Sequence, residues 1–185
     1  MGKMKTGKVV KVIKLKNGKE AKLRYPKFED WKDLLEYINS LVEENALIII
    51  NKKISKKKEL EWITKQLKKI ETNQMVALVA EVDGKVVGVC DIKKLEYKKS
   101  HVGSLGIGVR KEYRGLGIGY NLMKTAIKLA KKELKLKIIT LNVFENNKIA
   151  LKLYKQLGFK VCGRCPKFLK HKGKFWDELI MYKEI

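Results

Sequence analysis

The chain has 185 residues, enough for one domain with a hydrophobic core, and 45% of them are apolar. Its 43 Lys and Arg against 20 Asp and Glu give a formal net charge of +23. No apolar run reaches membrane-spanning length, since ALIII at 46–50 stops at Asn51, and the opening MGKMKTGK lacks the apolar stretch of a secretory signal. The sequence therefore predicts a cytoplasmic protein with no membrane partner.

Lysine carries the charge; the arginines are Arg24, Arg110, Arg114 and Arg164. The lysines are spread along the whole chain rather than interleaved with aromatics, as they are in many nucleic-acid binders. A solvated lysine surface explains this most simply, while a ribosomal or other nucleic-acid partner stays admissible.

Residues 9–16 and 19–25 alternate in polarity around Asn17-Gly18, which predicts a hairpin with a type I′ turn. Pro26 ends it. Trp31, Leu34, Leu35, Ile38, Leu41 and Val42 recur at helical spacing and predict a first helix over about 29–44. Leu60, Ile63, Leu67 and Ile70 predict a second helix, with Ser55 as its N-cap. MVALVAEV and KVVGVCDI flank Asp83-Gly84 and predict a central hairpin, nearly continuous in apolar residues. SLGIGV at 104–109 is the next strand. Leu122, Ala126, Leu129 and Ala130 mark a third helix, and KIITLNVF at 137–144 a buried strand. Ile149, Ala150, Leu153, Tyr154 and Leu157 mark a fourth helix that Gly158 ends. FKVCG and FWDELIMY are the last strands, turning at HKGK. The result is one mixed α and β domain without repeats or linkers.

Among the three cysteines, Cys90 reads as core, and Cys162 and Cys165 form a lone CxxC. One such pair, even with His171, falls short of the four ligands of a structural zinc site, so no metal is expected. A disulfide between the two is the other reading.

The segment EYRGLGIGYNL at 112–122 carries Gly115, Gly117 and Gly119 ahead of the third helix. Three glycines within five residues would fray a helix interior at about 1 kcal/mol each, and a linker does not sit between a buried strand and an amphipathic helix. The pattern predicts a turn at a helix N-terminus. There glycine permits φ > 0 and close approach of a ligand, while exposed N–H groups attract an anion. No GK[ST] follows, so this is not a Walker A loop; nor does GxGxxG fit, and 137–144 holds no acidic residue for a ribose. A diphosphate site remains.

V109-R-K-E-Y-R114-G-L-G117-I-G119 resembles the [RQ]xxGx[GA] acetyl-CoA signature of the GNAT acetyltransferases, the GCN5-related N-acetyltransferase superfamily. L141-N-V-F-E-N-N147-K-I-A150-L-K-L-Y154-K-Q-L-G158-F159 is similar to that family's strand–Asn–helix–Tyr–Gly-Phe segment. HKGKFWDELIMYK at 171–183 and HVGSLGIGV at 101–109 resemble the branch with amino-acid, phosphinothricin and ribosomal-protein acetyltransferases. The resemblance covers about residues 20–183. It implies an α+β fold: a mostly antiparallel sheet of six to seven strands, splayed at the acetyl-CoA site and flanked by about four helices. An extra N-terminal hairpin is expected, residues 1–19 being an extension of a single domain over 1–185.

The resemblance also assigns roles. Backbone N–H groups from Arg114 through Gly115, Leu116, Gly117, Ile118 and Gly119 would hold the pyrophosphate, with Arg114 adding a fixed positive charge. Ile107, Gly108 and Val109 match the strand that pairs with pantetheine, Asn147 matches a pantetheine contact, and Asn142 lines the cleft. Tyr154 matches the general acid; a phenol of pKa about 10 can protonate a thiolate whose free pKa is about 8.5. Ribosomal-protein-type members often carry Glu where this chain has Gly103. His101, with an unperturbed pKa of about 6.5, is then the candidate base, unless the amine arrives neutral.

The implied activity is transfer of an acetyl group from acetyl-CoA to a primary amine by direct attack. The acceptor is an amino-acid-like small molecule or a protein amine. The resemblance implies that residues 28–72 would form much of the acceptor side, with Trp31, Tyr37 and Trp62 either lining it or, as their helical spacing suggests, packing in the core. The charge of +23 disfavours polycationic acceptors unless the cleft is locally acidic. A homodimer is admissible. The alternative is a non-catalytic acyl-CoA-binding, nucleic-acid or ribosome-associated module.

Overall fold

In the computed structural model residues 5–185 are described; the first four positions of the expected N-terminal extension lie outside them. Twelve principal elements follow one another: β1 (Val9–Lys14), β2 (Glu20–Arg24), α1 (Trp31–Glu43), α2 (Lys56–Glu71), β3 (Met75–Val82), β4 (Lys85–Lys94), β5 (Val102–Val109), α3 (Ile118–Glu133), β6 (Ile138–Phe144), α4 (Lys148–Gln156), β7 (Lys160–His171) and β8 (Lys174–Glu184). The strands form one sheet in the order β1-β2-β3-β4-β5-β6-β8-β7. β2 pairs with β3, so the N-terminal hairpin belongs to the sheet, which brings it to eight strands.

The central strands are apolar on both faces because helices cover both. Leu34, Tyr37, Leu41 and Ile63 of α1 and α2 pack on Val79, Val86 and Val89. On the opposite face Leu122, Met123, Ala126 and Ala130 of α3 join Val76, Leu78, Cys90 and Ile92 in the larger core. Asp83 and Gly84 both take positive φ, 49° and 78°, as the expected type I′ turn requires. The first hairpin differs. Only Gly18 is left-handed there, and Leu15 N donates to Lys19 O at 2.7 Å, closing a three-residue loop. The Asn17 carboxamide favours this form by accepting from Lys19 N at 3.2 Å.

Helix α1 starts at Trp31 rather than at 29, after a 3-10 turn over Phe28–Asp30 whose last residue is Asp30. Its carboxylate takes two hydrogen bonds from Arg24, at 2.7 and 2.8 Å, and one from Lys27 N at 2.9 Å. Arg24 also donates to Glu81 at 2.7 Å, which ties β2, β3 and the entry to α1 together. Ser55 caps α2 as expected, and Gly158 leaves α4 with φ of 86°.

One pairing positions the site. β5 and β6 are the only parallel neighbours among the described strands, and they pair only at 102–104 with 138–140. Beyond Ser104 and Thr140 the strands part, while β5 stays paired with β4 through Val109 and β6 with β8 through Phe144. The sheet is thus open at its middle.

Candidate active site

The opening between β5 and β6 is the floor of a cleft of about 1400 Å³. That exceeds the roughly 300–1,000 Å³ of a site for one drug-sized ligand. It has room for two substrates.

One limb runs to the glycine turn. Gly115 and Gly117 take φ of 76° and 94°, and Gly117 is the N-cap of α3. A β-carbon at Gly117 would have space, the nearest atom being 3.9 Å away, so backbone conformation is what requires glycine there. Gly119 is different: its β-carbon would stand 3.4 Å from Leu153, where α3 passes α4. Ile118 is fully buried and Leu116 packs on the core, so the turn is anchored between its glycines. An anion set on this turn would meet the free N–H groups of α3 and the positive end of its dipole. The Arg114 guanidinium does not add the free charge expected of it. Nε donates to Val109 O at 2.9 Å, and both terminal nitrogens engage Glu44, at the end of α1.

Gly115, Gly117, Gly119, Gly108, Val109, Asn147 and Tyr154 all line the cleft, as do Ile107 and Asn142. Asn147 has a structural duty that the sequence reading missed: its Oδ1 accepts from Ala150 N at 3.2 Å and caps α4. Its Nδ2 remains available to a ligand. Asn142 Nδ2 donates to the buried Glu178 of β8 at 2.8 Å. Tyr154 on α4 is 7% exposed, beside Phe159, and its hydroxyl makes no side-chain hydrogen bond among the described residues. Burial pushes that phenol up to about 12, so it stays protonated and available as a donor at neutral pH.

His101 is not brought to this site. It is exposed, immediately before β5, and its carbonyl accepts from Lys137 N and Ile138 N at the closed end of the opening. Six residues of strand separate it from Ile107, roughly 20 Å. The sequence supplied its imidazole chemistry but not this position.

Carboxylates stand in the cleft instead. Asp91 on β4 lies across from Gly106, whose β-carbon would stand 3.2 Å from Oδ2. Its carboxyl makes no hydrogen bond or ion pair among the described residues, and burial pushes it up to about 6, with Lys93 opposing. Beside it, a β-carbon on Gly108 would collide with the Tyr37 hydroxyl. Glu59, in the first turn of α2, is 5% exposed and also unpartnered. Burial pushes it up to about 7. The wall between α1 and α2 is apolar, with Ile38, Ile48, Ile54 and Trp62.

Cys162 and Cys165 are free thiols on β7, with Cys162 Sγ 3.5 Å from Ile180 O, and no disulfide joins them. His171, at the end of β7, stacks edge-on against Phe144 at 6.1 Å. No helix among the described residues is long and apolar enough to cross a membrane.

Known proteins resemble this chain in sequence and fold. Residues 30–159 match the acetyltransferase (GNAT) family. An L-amino acid N-acetyltransferase of Escherichia coli K12 is 34% identical over 106 residues, covering 56% of this chain and 65% of that protein, just under two thirds of its length. An N-alpha-acetyltransferase of Sulfurisphaera tokodaii is 31% identical over 156 residues, covering 78% of this chain and 83% of that one. Among solved structures, YncA of Salmonella typhimurium with its cofactor acetyl-CoA superposes with a TM-score of 0.78. It is 19% identical over 89% of this chain and 93% of its own. A mixed sheet open between β5 and β6, a left-handed glycine turn and a matching family signature across the site lead to one conclusion: this chain belongs to the acetyltransferase (GNAT) family.

Proposed function

We propose that this protein transfers the acetyl group of acetyl-CoA to a primary amine by direct attack within a ternary complex. The observation that carries the reading is the split between β5 and β6. It has a glycine-lined anion site at one limb, a protonated buried phenol beside it and an unpaired carboxylate on the other limb. In this reading the N–H groups of the Arg114–Gly119 turn hold the pyrophosphate of acetyl-CoA. The unpaired edge of β5 at Ile107–Val109 receives its pantetheine arm, and Asn147 and Asn142 contact it across the gap. An N–H of that edge also polarises the thioester carbonyl.

Asp91, rather than His101, takes the proton of the attacking ammonium. The amine nitrogen then bonds to the acetyl carbon, the carbon–sulfur bond breaks, Tyr154 protonates the departing thiolate, and the excess proton left on the amide nitrogen passes through solvent to restore the Tyr154 phenol. The acceptor is an amine-bearing small molecule or a protein amine. A non-catalytic acyl-CoA-binding module is the less favoured reading, since Tyr154 and Asp91, a candidate acid and a candidate base, both line the cleft. Incubation with acetyl-CoA and a panel of amines, read as release of free CoA thiol, tests the proposal. Turnover with at least one amine is expected. Lack of both acetyl-CoA binding and CoA release would defeat it.

A further inference from the structure

We infer that the acceptor carries two cationic centres joined by an apolar chain, an α,ω-diamine in chemical class, and that Glu59 holds the one that does not react. This rests on the acetyltransferase reading above and names the acceptor of the same site. Three observations support it. Glu59 is 5% exposed yet has no hydrogen bond or ion pair among the described residues, and it lines the cleft. A carboxylate in that position is costly unless a cation meets it, and none of the described residues pairs with it. Asp91, on β4, is the second unpartnered carboxyl lining the cleft, and in this reading it meets the reacting amine. The surface between α1 and α2 presents Ile38, Ile48, Ile54 and Trp62, which suits methylene groups and not a polar side chain or a peptide backbone.

The lysines of the cleft do not cancel these acids. Lys16 and Lys58 are exposed at the rim; Lys93 is half-buried, one pleat from Asp91. Glu178, the remaining buried acid, is already bonded to Asn142. Charges deep in a low-dielectric cleft outweigh equal charges at its solvated mouth. One ammonium gives its proton to Asp91 and forms the new nitrogen–carbon bond as the carbon–sulfur bond breaks. The other stays charged against Glu59 and sets the reach from α2 to the thioester.

The test compares kcat/KM for 1,4-diaminobutane, 1,5-diaminopentane and 1,6-diaminohexane with n-butylamine and n-hexylamine, in the full chain and in Glu59→Gln, with acetyl-CoA binding measured alongside. A charge-assisted contact predicts that diamines exceed monoamines by roughly 10- to 100-fold, and that Glu59→Gln collapses the ratio toward one. Equal use of monoamines and diamines by the unmodified chain overturns the inference. So does a ratio that survives the substitution. Intact acetyl-CoA binding with no turnover of any diamine overturns it while leaving the donor site standing; absent acetyl-CoA binding defeats both.

Discussion

Replacing Glu59 by Gln should make the protein less sensitive to rising pH. The Glu59 carboxyl ordinarily titrates at 4.5, and burial raises it to about 7 in the folded chain. Between those values the unfolded chain releases the proton while the folded chain keeps it. The proton therefore stabilises the fold fully below 4.5, and that contribution is lost as pH rises through about 7. At about 1.4 kcal/mol per pH unit, the displacement amounts to about 3 kcal/mol of stability removed by ionising a buried, unpartnered acid. Gln has nearly the same shape and does not titrate. Whatever its amide costs in that environment is the same at every pH, so comparing the variants across pH isolates the ionisation.

Urea unfolding of both proteins at pH 4, 6 and 8 measures this. Relative to wild type, the Gln variant should gain about 3 kcal/mol between pH 4 and pH 8, most of it above pH 5. For a domain of this size that is a shift in melting temperature of roughly 6–12 °C. A difference that stays constant with pH to within a few tenths of a kcal/mol would mean that Glu59 finds water or a partner when charged, and the argument for a poised acid would fail. With 1,4-diaminobutane present at pH 8, the wild type should recover part of the lost stability by linkage and the variant should not.

Three further outcomes test the rest of the site. Gly117→Ala should weaken acetyl-CoA binding at least about tenfold in calorimetry, because a φ of 94° costs a side-chain-bearing residue about 1–2 kcal/mol and relaxing it turns N–H groups away from the anion; unchanged affinity refutes the cradle. Tyr154→Phe should lower kcat about 100-fold or more with little change in acetyl-CoA binding, and unchanged turnover removes Tyr154 as the acid. Asp91 must be ionised to act as base, and its carboxyl is raised to about 6. The kcat/KM profile should therefore rise with pH through about 6, and Asp91→Asn should lose that limb; a profile with the limb intact in the variant assigns it to another group.

The glycine-turn limb of the cleft was legible because its residue types answer to backbone conformation. Gly115 and Gly117 sit where φ is positive, and Asn147 and Tyr154 follow at fixed spacing on one strand–helix unit. The limb with Asp91 and Glu59 depends on contacts between distant segments. Asp91 lies within β4 between the buried Cys90 and Ile92, and reads as an ordinary polar strand residue until the pairing of β4 with β5 sets it against Gly106 in the cleft. Glu59 was more accessible than it appeared. Glu59, Ile63, Gln66 and Ile70 are the buried positions of α2, spaced four, three and four apart. The same helical spacing also fits Leu60, Ile63, Leu67 and Ile70, the stripe that apolar residues select, so a lysine-rich helix disguised the acid as one more surface charge. His101 failed for the opposite reason: its chemistry was right, but only the short parallel pairing at 102–104 reveals that its end of the opening is shut.

The same locality bears on what a charge of +23 does to a cationic acceptor. Spread over the surface, those charges repel a dication mostly at range, where salt screens them with a Debye length of about 8–10 Å. Glu59 and Asp91 act inside that length. One unit charge at about 4 Å is worth about 4 kcal/mol at an effective dielectric of 20, before desolvation is subtracted. Repulsion should thus slow arrival while the carboxylates hold what arrives. Raising ionic strength from about 10 to about 150 mM should then increase kcat/KM for a diamine, contrary to the usual weakening of ionic recognition by salt. The rise should be smaller for a monoamine. Stopped-flow or steady-state rates over that range decide it. A decline with salt would show that the lysine-rich surface does not govern approach, and that long-range attraction by the cleft does.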